Sequence, residues 1–204
     1  NVNLIATDAG GNLDTLVFTI TVVNTNDEAP EWDDADDAVA ISVNEGTTAV
    51  GAYDVSDADT TDAFNDLSTC TDSGDDAAIF TPTLTDADTC TIAFTAAEDF
   101  ENPDDTGGNN IYNVNMIATD AGSNSDTLVF TITVVNTNDE APEWDDADDA
   151  VAVSVAEGAT AVGAYDVSDA DTTDAFNDIN TCTDSGDDAA IFTPTKTDED
   201  TCTI

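Results

Sequence analysis

The chain repeats itself. Asn1-Val2-Asn3 returns as Asn113-Val114-Asn115, and the match then runs to the last residue with a period of 112. Residues 1–92 and 113–204 differ only at positions 4, 11, 13, 41, 44, 47, 67, 68, 84 and 87, so 82 of 92 are identical. A chain of this kind folds as copies of one unit, and any fold proposed for it must close within one period. The turn-rich segment Asn24 to Pro30, repeated as Asn136 to Pro142, is the natural joint. Residues 31–142 are then one complete copy, 1–30 the end of a preceding copy and 143–204 the beginning of a following one. Both ends are expected to fall inside a domain. Either the chain is a window on a long tandem array, or it is a subunit whose Asn1 to Pro30 strands complete the truncated end of a neighbour, as in donor-strand polymers.

Within the complete copy, seven segments read as strands separated by Asp, Asn, Gly and Thr clusters. They are Ala40 to Val43, Ala49 to Asp57, Asp66 to Thr71, Ala78 to Leu84, Thr89 to Phe94, Ile111 to Asp120 and Asp126 to Asn136. In the last, Leu128, Phe130, Ile132 and Val134 alternate with Val129, Thr131 and Thr133, the period of two of a half-buried antiparallel strand. Helical periodicity is absent. Seven short strands in one period predict an all-β, immunoglobulin-like sandwich.

Charge narrows the chemistry. The chain carries 46 acidic residues against one basic residue, Lys196, and no histidine, for a net charge of −45. It cannot neutralise phosphates, which excludes nucleic acid and anionic membrane surfaces as partners. It has no imidazole for a catalytic triad or a metal site, leaving carboxylate and amide oxygens, ligands that suit hard cations. The complete copy alone holds 20 Asp and 5 Glu with no Lys or Arg. Such charge expands a chain unless something offsets it. No apolar run is long enough to span a membrane, and Asn1 to Asp8 lacks the pattern of a signal peptide, so the expectation is a mature or internal piece.

Cys70 and Cys90 lie 20 residues apart, and Cys182 and Cys202 keep that spacing. Without histidine or a C-x-x-C pair, a disulfide inside each copy is favoured over a zinc or redox site, two buried thiols being the alternative. A disulfide requires an oxidising compartment.

Five acidic motifs follow one another in the complete copy: Glu45 in Ser42-Val43-Asn44-Glu45, the pair in Asp57-Ala58-Asp59, the pair in Glu98-Asp99-Phe100-Glu101, Ala118-Thr119-Asp120, and the joint Asn136-Thr137-Asn138-Asp139-Glu140-Ala141-Pro142. In order and approximate spacing this resembles the cadherin family, specifically the cadherin-like repeats of bacterial surface proteins. The resemblance implies tandem seven-stranded Greek-key sandwiches, with up to three Ca2+ ions at each junction between them. For the junction after residue 142 it implies Glu45, Asp99, Glu101, Asn136, Asn138, Asp139, Glu140, Asp169 and Asp171 as ligands. For the junction after residue 30 it implies Asn24, Asn26, Asp27, Glu28, Asp57, Asp59 and Asp120. Asp8 and Glu157 would serve further junctions.

The sequence departs from that pattern where Asn24 or Asn136 replaces the usual Asp, Glu28 or Glu140 the usual Asn, and Glu98 a leucine. Other acids, among them Asp33, Asp34, Asp36, Asp37, Asp75, Asp76, Asp104 and Asp105, read as solvated loop residues with no site. Asp57 to Ser68 fails as an EF-hand, because Asp62 stands at the glycine position and Ser68 at the glutamate position. Trp32, Trp144, Phe94, Phe100 and Tyr112 are expected in core or joint packing. Lys196 replaces Leu84 of the other copy and reads as a surface substitution. The expected function is a calcium-rigidified spacer of a long extracellular adhesin or surface filament. Its partners would be neighbouring identical repeats or subunits, with a cell-surface or glycan target. A homophilic or carbohydrate-binding module and a donor-strand subunit are the alternatives, and paired carboxylates alone make no enzyme.

Overall fold

The computed structural model describes residues 1–34, 37–59, 66–145, 150–171 and 178–204. Asp36 and Asp62, each named above, lie outside the described residues. Residues 31–135 form a sandwich of two four-stranded sheets. Its strands are β3 (Glu31–Trp32), β4 (Ala38–Asn44), β5 (Ala49–Ser56), β6 (Leu67–Ser73), β7 (Phe80–Asp86), β8 (Thr89–Phe94), β9 (Ile111–Asp120) and β10 (Ser125–Val135). All seven expected strands are present, and the short β3 is an eighth that periodicity could not flag at two residues. A 3-10 turn, Ala77–Ile79, occupies the beginning of the segment expected as a strand from Ala78.

One sheet runs β4-β10-β9-β6 and the other β3-β5-β8-β7. The chain changes sheet at each step except the two hairpins β7-β8 and β9-β10, so the sandwich is closed by contacts distant in sequence. β4 pairs with β10 in parallel, and the other pairs in the sandwich are antiparallel. The inward positions of β10 and β9 carry Leu128, Phe130, Ile132, Val134, Val114 and Met116, all 0–1% exposed. Phe94 meets Tyr112 edge-on at 5.3 Å between ring centroids, and Tyr53 meets Phe130 at 4.8 Å. Trp32 joins this core, with Phe100 half-buried against it.

Cys70 on β6 and Cys90 on β8 form a disulfide that ties one sheet to the other, and Cys182–Cys202 forms likewise. The free-thiol alternative falls away.

The flanking segments show what each sheet needs. In residues 143–204, β11 (Glu143–Trp144), β12 (Ala164–Ser168), β13 (Thr195–Lys196) and β14 (Thr201–Thr203) pair in the order β11-β12-β14-β13, which reproduces β3-β5-β8-β7. The counterparts of β4 and β6 are not strands there. In the sandwich β4 pairs only with β10 and β6 only with β9, and neither partner has a counterpart in residues 143–204.

The β9-β10 hairpin has its own counterpart at the start of the chain, β1 (Val2–Thr7) paired with β2 (Leu13–Phe18). Leu16 and Phe18, equivalent to the buried Leu128 and Phe130, are 57% and 42% exposed. Trp144 is 48% exposed against 5% for Trp32, and residues 143–204 hold no equivalent of β10 to lie over it. The cover over Trp32 comes from the β10 side, where Asp126 accepts a hydrogen bond from the Trp32 backbone N–H at 3.2 Å. Asp76 and Asp105 also depart from their reading as solvated residues, at 3% and 6% exposed. Asp76 accepts backbone N–H groups of Thr106 and Asn113 at 2.8 and 2.7 Å, and Asp105 accepts those of Gly107, Asn109 and Asn110. They knit the long loop between β8 and β9 onto the sandwich.

Replacing the Cys70/Cys90 pair with alanines is expected to lower stability by about 3 kcal/mol for a loop of this length. Denaturant unfolding of the pairwise variant against the oxidised chain measures it.

Candidate metal centre at the module joint

The joint after Val135 is built by the ends of four elements. Glu45 follows β4 and is fixed twice by the parallel partner: its backbone N–H bonds the Val135 carbonyl at 3.1 Å, and its Oε1 accepts the backbone N–H and hydroxyl of Thr137. Its other oxygen, Oε2, accepts the Phe100 N–H at 2.7 Å. Asp99 Oδ1 accepts the N–H groups of Glu101 and Asn102, an Asx turn that shapes the loop after β8. Asn136 donates its amide to Glu101 Oε1 at 2.7 Å. From the following copy, Asp169 Oδ1 accepts the Asp171 N–H at 3.0 Å, and Asp171 Oδ2 accepts the Glu140 N–H at 3.3 Å.

These constraints bring Glu45, Glu101, Asp139 and Asp171 together, with one carboxylate oxygen from each lying within 4.8 Å of the others. Glu45 is 7% and Asp171 0% exposed. Glu101 Oε2, Asn136 Oδ1 and Asp171 Oδ1 are buried without a hydrogen-bond partner. A buried carboxylate oxygen with no donor costs free energy, and here the neighbours are further carboxylates. Two of these carboxylates, Glu101 and Asp171, thus keep a buried oxygen that no donor fills, and with Glu45 and Asp139 beside them the group has the composition and spacing to hold a cation. All four residues belong to the set expected for this joint; Asp99, Asn138, Glu140 and Asp169 lie outside this four-residue group.

Electrostatics shows the same conflict. Burial, with the negative charges of Glu45, Asp171 and Asp99 beside it, pushes the Glu101 carboxyl up to about 7. Asp171 is raised by burial and then by Asp169, Asp139 and Glu45, and Glu140 is raised by desolvation and then by Asp139, Asp99, Asp171 and Asp169.

The joint after residue 30 is assembled around Asp59, which is 3% exposed. Asp59 Oδ1 accepts the Asn24 amide, Oδ2 accepts the N–H groups of Asp27 and Glu28, and its own N–H bonds Asp57 Oδ1 at 2.8 Å. Asp57 Oδ2 is buried without a donor. Asp120, 2% exposed, is reached through Asn124, whose amide donates both to Asp120 Oδ2 at 2.9 Å and to Asn26 Oδ1 at 2.7 Å. A Cβ at Gly122 would collide with the end of the Asn26 side chain, so a larger residue in the turn after β9 would displace that side chain.

Asn124 and Thr137 were not among the expected site residues. Asn124 had a usable signal, because Asp8 and Asn12 repeat the pair four residues apart and make the same contacts, Asn12 donating to Asp8 through both amide and backbone N–H. Glu98, the acid in place of leucine, does not join the carboxylate group. It is buried at 6% exposed, accepts the Tyr112 hydroxyl at 2.7 Å, and is pushed up by burial.

No family model and no curated protein matches the chain. Among solved structures it is similar to human CDH23 EC21-23, with 18% identity over 87% of this chain and 56% of that one and a TM-score of 0.57. It is similar to PcdhgB3 EC1-4, with 17% identity over 98% and 45% of the two chains and a TM-score of 0.59. The mouse clustered PcdhgC3 EC1-3 structure gives 20% identity over 84% and 53%, with a TM-score of 0.53. The chain thus spans about half the length of these structures. At such identities the likeness is one of fold: these are cadherin-type β-sandwiches, and this chain is one too.

A carboxylate whose pKa is raised on folding holds its proton in the folded state and releases it on unfolding. The folded chain then binds more protons between the ordinary value of 4.5 and about 7, and its metal-free stability falls as pH rises through that window. Thermal unfolding of the chelator-treated chain is expected to show this fall, and Glu101→Gln is expected to flatten it.

Proposed function

We propose that this chain is a calcium-stiffened structural repeat of a long extracellular adhesin or surface filament, a spacer that holds its shape where calcium is abundant. The observation that supports the reading most directly is the group of carboxylate oxygens at the joint, contributed by both copies, in which Glu101 and Asp171 keep buried oxygens without donors. Oxygen-only donors suit a hard cation. Carboxylate oxygens of four residues within 4.8 Å of one another can converge on one ion, and calcium takes such oxygen ligands at about 2.3–2.6 Å in a flexible geometry. Glu45, Glu101, Asp139 and Asp171 would hold the ion, with the Asn136 carbonyl oxygen beside them.

When bound, calcium supplies positive charge at the point where the carboxylates repel. The chain's own residues supply the geometry: Thr137 and Phe100 orient Glu45, Asn136 orients Glu101, and Asp171 is anchored to the joint through Glu140. Empty, the joint is pushed open by like charges; filled, it is clamped from both sides. Sixteen residues, Asn24, Asn26, Asp27, Glu28, Asp57, Asp59, Asp120, Glu45, Asp99, Glu101, Asn136, Asn138, Asp139, Glu140, Asp169 and Asp171, make the two joints in this reading, with up to three ions at each. The disulfides and the calcium requirement both suit an extracellular location. Near-identical neighbouring copies suit a rod, which needs equivalent links, and nothing in the reading calls for catalysis.

Small-angle scattering in calcium and in chelator tests this. Calcium is expected to lengthen and narrow the particle. Glu101→Gln with Asp171→Asn is expected to raise the calcium needed for half of that change by about 10-fold or more. Identical profiles with and without calcium would overturn the reading.

A second reading, a subunit assembled by strand exchange, is favoured by one observation. Residues whose equivalents pack together within residues 31–135 are exposed at Leu16 and Phe18 of the β1-β2 hairpin and at Trp144 and Val153. Leu16→Asp would then reduce polymer formation, measured by sedimentation.

A further inference from the structure

The outer face of the sheet β4-β10-β9-β6 carries no carboxylate. Along β10 the outward positions are Thr127, Val129, Thr131, Thr133 and Val135, alternating with the buried core residues. Ala38 of β4 and Asn115 of β9 flank Val129. Ala40 and Asn113 flank Thr131, and Ser42 and Ile111 flank Thr133. At the far edge β6 adds Thr69, Thr71 and Ser73. The acids of these strands, Asp72, Asp120 and Asp126, stand at the alternate, inward positions. Yet the copy to which the face belongs holds 25 acidic residues and no basic one. The other sheet does expose charge, at Asp54 and Asp86.

The apolar side chains point the same way. Among the described residues between Glu31 and Pro142, the exposed large hydrophobics are Ile111, Val129 and Val135, at 38%, 46% and 40%, and all three stand on this face. An uncharged surface of Thr, Ser, Asn and Ala that also carries the three exposed aliphatic side chains is, on so acidic a module, the surface best suited to contact.

We infer that this face packs against the same face of a second copy of the chain, side by side, going beyond the proposed spacer role and independent of calcium. Three features select that occupant. Two modules of this charge repel wherever carboxylates meet, and here two copies can approach without opposing any. The face recurs with the period of the chain, since Thr15, Val17, Thr19, Thr21 and Val23 repeat Thr127, Val129, Thr131, Thr133 and Val135. Another copy is the partner that matches that spacing face for face. No aromatic ring stands on it to stack a sugar, because Tyr112 and Phe130 point into the core. Four strands about 4.8 Å apart and about 30 Å long offer roughly 500 Å2. One pair of faces buries on the order of 1,000 Å2, the lower bound for a specific contact, so binding is weak for one module and multiplies along a row.

The test uses the intact chain, whose described cysteines are all in disulfides, so that an introduced cysteine is the reactive thiol. Thr131→Cys, at the centre of the face, is treated with a short bis-maleimide cross-linker, in calcium and again in chelator. Thr83→Cys, on the outer face of the other sheet, is the control. Covalent dimer is expected from Thr131→Cys in both conditions, rising with concentration and several-fold above Thr83→Cys. Adding Val129→Glu is expected to lower the yield about 10-fold or more, because it buries like charges against each other. Both thiols stand on exposed positions, and intact native disulfides on non-reducing mass analysis confirm the fold of each variant. Equal yields at the two positions, or a yield untouched by Val129→Glu, would overturn the inference. The scattering response to calcium is read on the same samples, so a failed calcium response leaves this result standing, and the reverse.

Discussion

The parallel pairing of β4 with β10 is the contact on which the rest of the structure depends. It joins the first half of the copy to its last strand across about 90 residues, and it completes a sheet that its own neighbours in sequence cannot complete. The same pairing carries the register to the joint. Val135 stands opposite Asn44, the next residue Glu45 bonds back to Val135, and Thr137 then grips the Glu45 carboxylate. A shift of the strand pair would move Glu45 away from Glu101. The fold and the candidate metal centre are set by one ladder of hydrogen bonds.

Given that ladder, the distribution of charge becomes intelligible. Aspartate is a poor strand residue and a good turn residue, so acids collect at the loops and the two ends of the sandwich. There they do three different things. Asp105 and Asp76 cap backbone N–H groups of the β8-β9 loop and are satisfied by them. Asp33, Asp34, Asp75 and Asp104 are solvated. Glu101, Asp171 and Asp57 keep buried oxygens that no donor of the chain reaches. The last class marks the candidate centres at the joints, and counting carboxylates could not have separated it from the others.

Much of this was legible in the sequence. The strand alternation from Leu128 to Val134 located the inner face, the cysteine spacing pointed to the disulfide, and the order of acidic motifs pointed to the residues from which the candidate metal centre is built. Each is a short-range pattern that survives folding because it reports one local geometry. What could not be read depended on contacts across the sandwich. Trp32 is buried in a core closed by β10, and its backbone N–H is bound by Asp126, 94 residues away, a contact that its own local sequence does not announce. Asp76 likewise looks like any acid in an Asp-rich turn until Asn113, 37 residues away, donates to it.

Glu98 shows how tightly the core and the joint are coupled. Its carboxylate is drawn inward to the Tyr112 hydroxyl, while its backbone carbonyl accepts the Gly46 N–H beside Glu45. The adjacent Asp99 then turns outward to organise the loop that presents Glu101. An acidic residue where a leucine would serve the core thus divides the segment into an inward and an outward half. Because Tyr112 packs on Phe94 and Phe80, the position of the Glu101 oxygens is tied to the aromatic core of the copy through two consecutive residues. A metal ion at the joint would therefore act on the packed interior of the preceding copy as well as on the link to the next, and stiffness would extend from the joint into the module.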